Sequence, residues 1–353
     1  MFNRKQVLAL GLAASLVLAA CGGDDDDSSD TTDAPAPAAT TAAPEPAAAT
    51  LGIAFDTGGR GDGTFNDSAA RGADRAQAEL GVEVQELEAT TADDRGPNLE
   101  TLTNAGANPI IAVGFAFGDT LAAVAAANPG TQYAIVDGFI PDAPANVTMI
   151  GFAEHEGSFL VGAAAALACE CDKIGFIGGQ EIDLIKKFEA GYTAGAKQIN
   201  PNITVEVQYL GAAGDNAAWA SPDKAKEIAN GWFASGVEVI YTAAGGSGAG
   251  TIDAAVESGK WAIGVDSDQY LTATAEQQAH ILTSMIKSVD VSVFETTKAF
   301  LDGTLAGGFA TYDLKTNGVG YSTSGGYLDA HIGHLEELKQ QIVDGTITVP
   351  TAP

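Results

Sequence analysis

Short apolar runs recur at Leu51–Asp56, Val82–Leu87, Ile110–Gly114, Tyr133–Asp137 and Val147–Phe152, with helical stretches after most of them. Strands alternating with helices in this way predict a doubly wound parallel sheet. The rhythm restarts at Lys173–Gly178, Thr204–Tyr209, Val237–Thr242 and Trp261–Val265, so the expected class is α/β with two similar lobes. Between the two series, Glu154–Leu167 opens with acids and becomes a small-residue helix, which places a first crossover near Phe152–Glu156. Residues 281–301 read as one long helix, Phe309–Asp313 and Val319–Tyr321 as late short strands, and Leu328–Asp344 as a final amphipathic helix. The expected division is a first lobe over 51–153 plus 268–303 and a second over 154–267 plus 304–350.

Ahead of the lobes the pattern changes. Arg4 and Lys5 precede an uncharged apolar run, Val7–Ala20, which reads as a secretory signal rather than a spanning helix. Leu18-Ala19-Ala20-Cys21 resembles a bacterial lipobox, so residues 1–20 are expected to be removed, leaving Cys21 as a lipidated N-terminus. Residues 21–50, rich in Gly, Asp, Ser, Thr, Ala and Pro, lack the apolar side chains that would repay the entropy of ordering. They read as a tether, and the folded part is expected outside the cell, anchored to the membrane by lipid.

Composition narrows the partners. Forty-six acidic against 17 basic residues give a formal net charge of −29, which argues against nucleic acid or anionic headgroups as electrostatic partners. Cys169 and Cys171 are separated by one residue. A disulfide there would be strained, and two thiols without further ligands make a poor metal site, so the pair is expected to be strained or free in a surface turn.

The candidate chemistry sits at strand tips, where open α/β sheets bind their ligands. The first loop, Thr57-Gly-Gly-Arg-Gly-Asp-Gly-Thr-Phe-Asn-Asp67, brings Asp56, Phe65 and Asn66 to one rim, and Asn66 or Asp67 could cap the helix that follows. Gly178-Gly-Gln180 with Phe188 on the next helix, the glycine loop Ala243–Gly250 containing Gly245, and Asp266-Ser-Asp-Gln269 form similar tips, as does Asp137. Phe65 and Phe188 lie where an exposed ring is best explained by stacking on a flat ligand, whereas Phe115 and Phe117 could equally be core. Lys287, in the expected long helix, could simply snorkel to the surface.

Alternatives fit less well. Gly246, Gly248 and Gly250 carry Thr251 where a dinucleotide fingerprint needs its third glycine, and the chain holds no phosphate-loop G-K-[ST]. Asp56–Asp67 has the length of a calcium loop but Gly58 and Arg60 at ligand positions. The four histidines, His155, His280, His331 and His334, form no zinc motif, and no nucleophile has an evident base. No catalytic residue, metal or cofactor is expected.

These segments together resemble the basic membrane protein family of lipoproteins, the substrate-binding components of ABC importers whose best-known branch binds purine nucleosides. The resemblance covers the chain after the tether. It rests on Phe-Asp-Thr-Gly-Gly with Thr-Phe-Asn-Asp67, Glu-His-Glu-Gly-Ser-Phe-Leu-Val-Gly162, Lys-Ile-Gly-Phe-Ile-Gly-Gly-Gln180 with Lys-Phe-Glu-Ala-Gly191, Ala-Ala-Gly-Gly-Ser-Gly248 and Gly-Val-Asp-Ser-Asp-Gln269. It implies a type I periplasmic binding protein, two Rossmann-like lobes joined by a three-segment hinge. It further implies that Phe65 and Phe188 sandwich a base, Asn66 and Asp137 address its polar edge, Asp266 and Lys287 hold ribose hydroxyls, Gly245 supplies a backbone contact and Asp56 lies nearby. A monomer that delivers a nucleoside to a membrane permease follows. A sugar or autoinducer receptor of the same fold, an exported nucleoside-processing enzyme and a signalling receptor are the rival readings.

Overall fold

The computed structural model describes residues 49–353. The expected signal, Cys21 and nearly all of the tether lie outside the described residues. The first lobe opens with β1 (Thr50–Phe55), α1 (Phe65–Leu80), β2 (Glu83–Glu88), α2 (Arg95–Asn104), β3 (Ile110–Val113), α3 (Gly118–Ala127), β4 (Tyr133–Val136) and β5 (Val147–Phe152). The second continues with α4 (Glu154–Cys169), β6 (Lys173–Gln180), α5 (Asp183–Ile199), β7 (Thr204–Gly211), α6 (Pro222–Ala234), β8 (Val239–Ala243), α7 (Gly248–Ser258), β9 (Trp261–Asp266), α8 (Ala275–Gln278) and β10 (Ile281–Lys287). The chain then returns through α9 (Val289–Leu301), β11 (Gly308–Tyr312), β12 (Val319–Tyr321) and α10 (Ile332–Val343).

Two six-stranded sheets result, in the orders β11-β5-β4-β3-β1-β2 and β12-β10-β9-β8-β6-β7. Every pairing is parallel except β10 with β12. Central strands such as β3, β4 and β8 are buried at every residue, as strands covered by helices on both faces must be. The sheet edges opposite β11 and β12 are β2 and β7, which carry Glu83, Glu86, Glu88 and Glu206, charges that discourage pairing with another chain. Among the described residues no helix is long and apolar enough to cross a membrane.

Residues 281–301 are not one helix: Ile281–Lys287 is a strand lying between β9 and β12, and the helix starts at Val289. A short buried apolar run has no periodicity that separates strand from helix, and here Ile281, Thr283 and Ile286 are β-branched residues paired beside β9, with a register shift between Ile281 and Thr283. The lobe boundaries move with it. The sheets place 281–287 in the second lobe and 308–312 in the first, so the chain crosses at 152–154, 287–289 and 312–319 rather than at 267–268 and 303–304. The last helix shortens to Ile332–Val343. Cys169 and Cys171 are joined as a disulfide around Glu170, which closes α4 in a left-handed conformation (φ 46°).

Helix packing sets the positions of the site-bearing elements. α5 lies so close to α4 that a Cβ on Gly191 would come within 2.1 Å of the His155 carbonyl oxygen, and one on Gly195 within 1.9 Å of that of Phe159. Only glycine permits this approach, and it holds α5, with Phe188 on it, against the first helix of the second lobe.

Candidate functional site

A cavity lies between the tips of the two sheets, with about 740 Å³ of space when its open mouth is included. All eight residues singled out from the sequence line it: Asp56, Phe65, Asn66, Asp137, Phe188, Gly245, Asp266 and Lys287. The lining also includes Asp62, Phe115, Leu184, Ile185 and Trp219, which the sequence reading did not assign to a site.

The first wall begins with the loop after β1. Asp62, rather than Asn66 or Asp67, covers the start of α1. Its carboxylate accepts from the amides of Thr64 (2.9 Å), Asn66 (2.9 Å) and Asp67 (3.1 Å) and from Asn66 Nδ2 (3.1 Å). Asp67 instead accepts from the Gly61 and Gly63 amides and shapes the loop. With Nδ2 so engaged, Asn66 Oδ1 is buried without a hydrogen-bond partner among the described residues. Burial raises the Asp62 carboxyl above its ordinary range, opposed by those amides. Asp56 is already paired, its Oδ1 lying 2.8 Å from Arg95 Nη2 and 2.9 Å from Nε.

Lys287 occupies the floor. The sequence suggested a helical lysine reaching for solvent; instead it ends β10 with a side chain 2% exposed. Its Nζ lies 2.5 Å from Asp137 Oδ2 of the first lobe and 3.4 Å from Glu154 Oε1 of the second, and Glu154 Oε2 meets Lys187 at 3.2 Å. Burial alone would lower the lysine's pKa, but Asp137, Glu154 and Asp266 together raise it, so the ammonium stays charged. The same nitrogen lies 5.2 Å from the Phe65 ring centre and 5.6 Å from that of Phe188, and 4.9 Å from that of Phe152. The ammonium thus lies within cation–π range of two rings, one from α1 and the other from α5.

Asp137 follows β4 and Asp266 ends β9, the matching strand, and both hold φ at 63°, a left-handed conformation that side chains larger than glycine adopt at a cost. The paired geometry turns both carboxylates off the strand ends toward the cavity. Asp137 Oδ1 has no partner among the described residues. Burial pushes the Asp266 carboxyl up to about 7; Lys287 opposes this, while Asp137, Asp62 and Glu154 add to it. Gly245 also has positive φ (56°) and begins the 3₁₀ turn Gly245–Ser247 that leads into α7.

Chemically the cavity offers two aromatic faces, orphaned oxygen acceptors, a buried acid and a fixed ammonium. Buried polar atoms in folded proteins are nearly always satisfied, so Asn66 Oδ1 and Asp137 Oδ1 call for hydrogen-bond donors from a ligand or from water in the cavity. Trp219 and Asp62 are the polar or aromatic lining residues that the sequence did not point to. Trp219 ends the 3₁₀ turn Asn216–Trp219, past Gly211 at the tip of the edge strand β7 and Gly214 in the loop that follows.

Residues 49–352 match the family model described as ABC transporter substrate-binding protein, PnrA-like. The CD4+ T-cell-stimulating antigen of Listeria monocytogenes is 37% identical over 323 residues, covering 86% of this chain and 88% of that protein. The ABC transporter nucleoside-binding protein BmpA of Lactococcus lactis is 35% identical, with 85% of this chain and 88% of that one covered. Among solved structures, a solute-binding protein of an ABC transporter system from Aeropyrum pernix superposes with a TM-score of 0.76 at 27% identity, covering 86% of this chain and 93% of that one. The Caulobacter myo-inositol binding protein shares the fold at a TM-score of 0.60 and 16% identity, over 84% of this chain and 99% of that one.

Proposed function

The chain belongs to the PnrA-like family of ABC transporter substrate-binding proteins, and on that premise we propose that it captures a nucleoside, a purine nucleoside in particular, between its lobes for delivery to a membrane permease. The observation that carries the ligand class is the meeting of Phe65 and Phe188, from opposite lobes, in one cavity above a buried ammonium. A flat base between two such rings gains about 1–3 kcal/mol per stacked contact. The acceptors Asn66 Oδ1 and Asp137 Oδ1 suit the N–H edge of a guanine or hypoxanthine ring, and Asp266 suits paired ribose hydroxyls. Lys287 holds Asp137 in place and supplies a further donor toward the sugar.

Closure then follows from linkage. Because the ligand touches both lobes, its binding energy favours the shut arrangement, which is the form a permease would recognise. No bond is made or broken in this reading. The protein acts outside the cell as a lipid-anchored monomer, with Cys21 as the anchor.

Calorimetry of the protein with guanosine, adenosine, cytidine and ribose tests the ligand class. Guanosine binding at least about a hundredfold tighter than ribose is expected, since a sugar alone forgoes both stacking contacts. Ribose binding as tightly as guanosine would refute it. Release of hypoxanthine during incubation with inosine would turn the reading toward an enzyme.

A further inference from the structure

Among the contacts between the lobes, three mark successive places along the cleft. The crossovers leave from β5, β10 and β11, all at one edge of the paired sheets, so β2 and β7 lie at the edge farthest from the hinge. Nearest the hinge is the Lys287–Asp137 pair. Next comes Ser267, whose hydroxyl donates to the Thr64 carbonyl (2.8 Å) and receives Arg71 Nη2 (2.9 Å). The third contact is Phe115 against Trp219, ring centres 6.3 Å apart at 69°, an edge-to-face pair between the turn after β3 and the turn after β7. Trp219 follows β7 at the edge farthest from the hinge, and a hinge rotation moves atoms in proportion to their distance from the axis, so its contact across the cleft is sensitive to opening.

Both rings are held by their own lobe. The Trp219 indole lies on Gly179, where a Cβ would come within 2.2 Å of Cζ3. Its turn is pinned by Ser247, whose hydroxyl donates to the Ala218 carbonyl (2.8 Å) and accepts from the Ser221 amide (2.7 Å). Phe115 leaves Gly114, whose φ of 124° only glycine adopts readily and where a Cβ would come within 3.3 Å of the Asp56 side chain that Arg95 fixes. Phe117, two residues on, is fully buried core, whereas Phe115 and Trp219 are half-buried and line the cavity.

We propose that Phe115 and Trp219 form a cross-lobe aromatic latch that holds the cleft shut at its mouth and thereby sets how long a ligand stays. They are positioning residues. Each acts through the other ring, and the latch shifts the open–closed balance whether or not a ligand is bound. The prediction for retention rests on the nucleoside reading above; the prediction for lobe closure does not.

Two measurements on Phe115→Ala, Trp219→Ala and the double variant test it. Spin labels at Asp119→Cys in the first lobe and Asp223→Cys in the second report the interlobe distance in ligand-free protein, and each single variant is expected to broaden that distribution toward longer distances. With labelled guanosine chased by unlabelled, each single variant is expected to raise the dissociation rate about three- to tenfold, the range for one edge-to-face pair, with association within about twofold. The double variant should dissociate no faster than the faster single, because either change already breaks the contact. Phe115→Tyr, which keeps the ring, should behave as wild type and excludes a folding defect as the cause. Unchanged interlobe distances in both single variants, or dissociation factors that multiply in the double, would overturn the latch. If wild type ignores guanosine while the single variants still open the lobes, the nucleoside reading fails and the latch stands.

Discussion

In the first lobe the chain leaving β3 turns through Gly114, Phe115, Ala116 and Phe117; in the second the chain leaving β8 turns through Ala244, Gly245, Gly246 and Ser247, at the matching place in the sheet order. One turn puts a ring into the cleft and the other leaves backbone bare. The strands beside them finish alike, Asp137 just after one and Asp266 ending the other, at the same φ. The helices after β1 and β6 bring Phe65 and Phe188 from opposite sides. Symmetry of the frame thus accounts for a pair of rings and a pair of acids, which suits any flat ligand. The differences orient it: the first lobe spends Asp56 on Arg95, while the second carries Lys287, the free glycine turn and Trp219.

The largest effect should come from removing the unmatched cation. Lys287→Met leaves Asp137 and Glu154 buried without their shared partner, and a broken buried pair costs about 3–5 kcal/mol. Thermal unfolding should show a fall of many degrees, and nucleoside binding should disappear; a variant as stable as wild type would show that the lobes do not depend on this asymmetry.

Asp266 separates binding from stability. With its folded pKa about 7 against an ordinary 3.8, the folded state holds a proton that the unfolded state has lost, so this group's cost to stability grows as pH rises from about 4 to 7 and is full above that. Asp266→Asn should therefore raise the ligand-free melting temperature at pH 8 and leave it nearly unchanged at pH 4. The binding sign is opposite. Ribose hydroxyls donate to the ionised carboxylate, so wild-type affinity should fall as pH drops below 7, and Asp266→Ala should lose roughly ten- to a hundredfold at pH 8, the worth of a hydrogen bond to a charged group. Titration calorimetry at both pH values reads this directly.

The smallest effect sharpens the contrast between the two turns. Gly245→Ala forces a side chain to φ 56°, with its Cβ 3.4 Å from the Trp219 carbonyl, at a cost of about 1–2 kcal/mol. Gly118→Ala, just past the first-lobe turn at the start of α3, meets nothing nearer than 4.0 Å and should be neutral or slightly stabilising. Equal losses in denaturant unfolding would remove the distinction.

Much of this site was legible before the fold because its residues stand beside strong local signals. Glycine turns, strand tips and helix starts flag Asp56, Phe65, Asn66, Gly245 and Asp266 without any tertiary contact. Lys287 was flagged as an odd charge in an apolar run, yet its element was misread, since Ile281–Lys287 has neither alternation nor enough length to distinguish a buried strand. That one misreading also displaced two crossovers. Trp219 was missed because its role comes from the opposite lobe: nothing local separates it from a surface tryptophan until Phe115 is brought against it. Asp62 was hidden for a different reason, as three nearby polar residues could each have capped α1 and only the loop's path selects one.

The central claim is that two phenylalanines from different lobes grip one base. Guanosine titrations of Phe65→Ala and Phe188→Ala test it most directly. Each should weaken binding by about 1–3 kcal/mol, roughly five- to 150-fold, while leaving the much weaker ribose affinity unchanged. Wild-type guanosine affinity in either variant would contradict it.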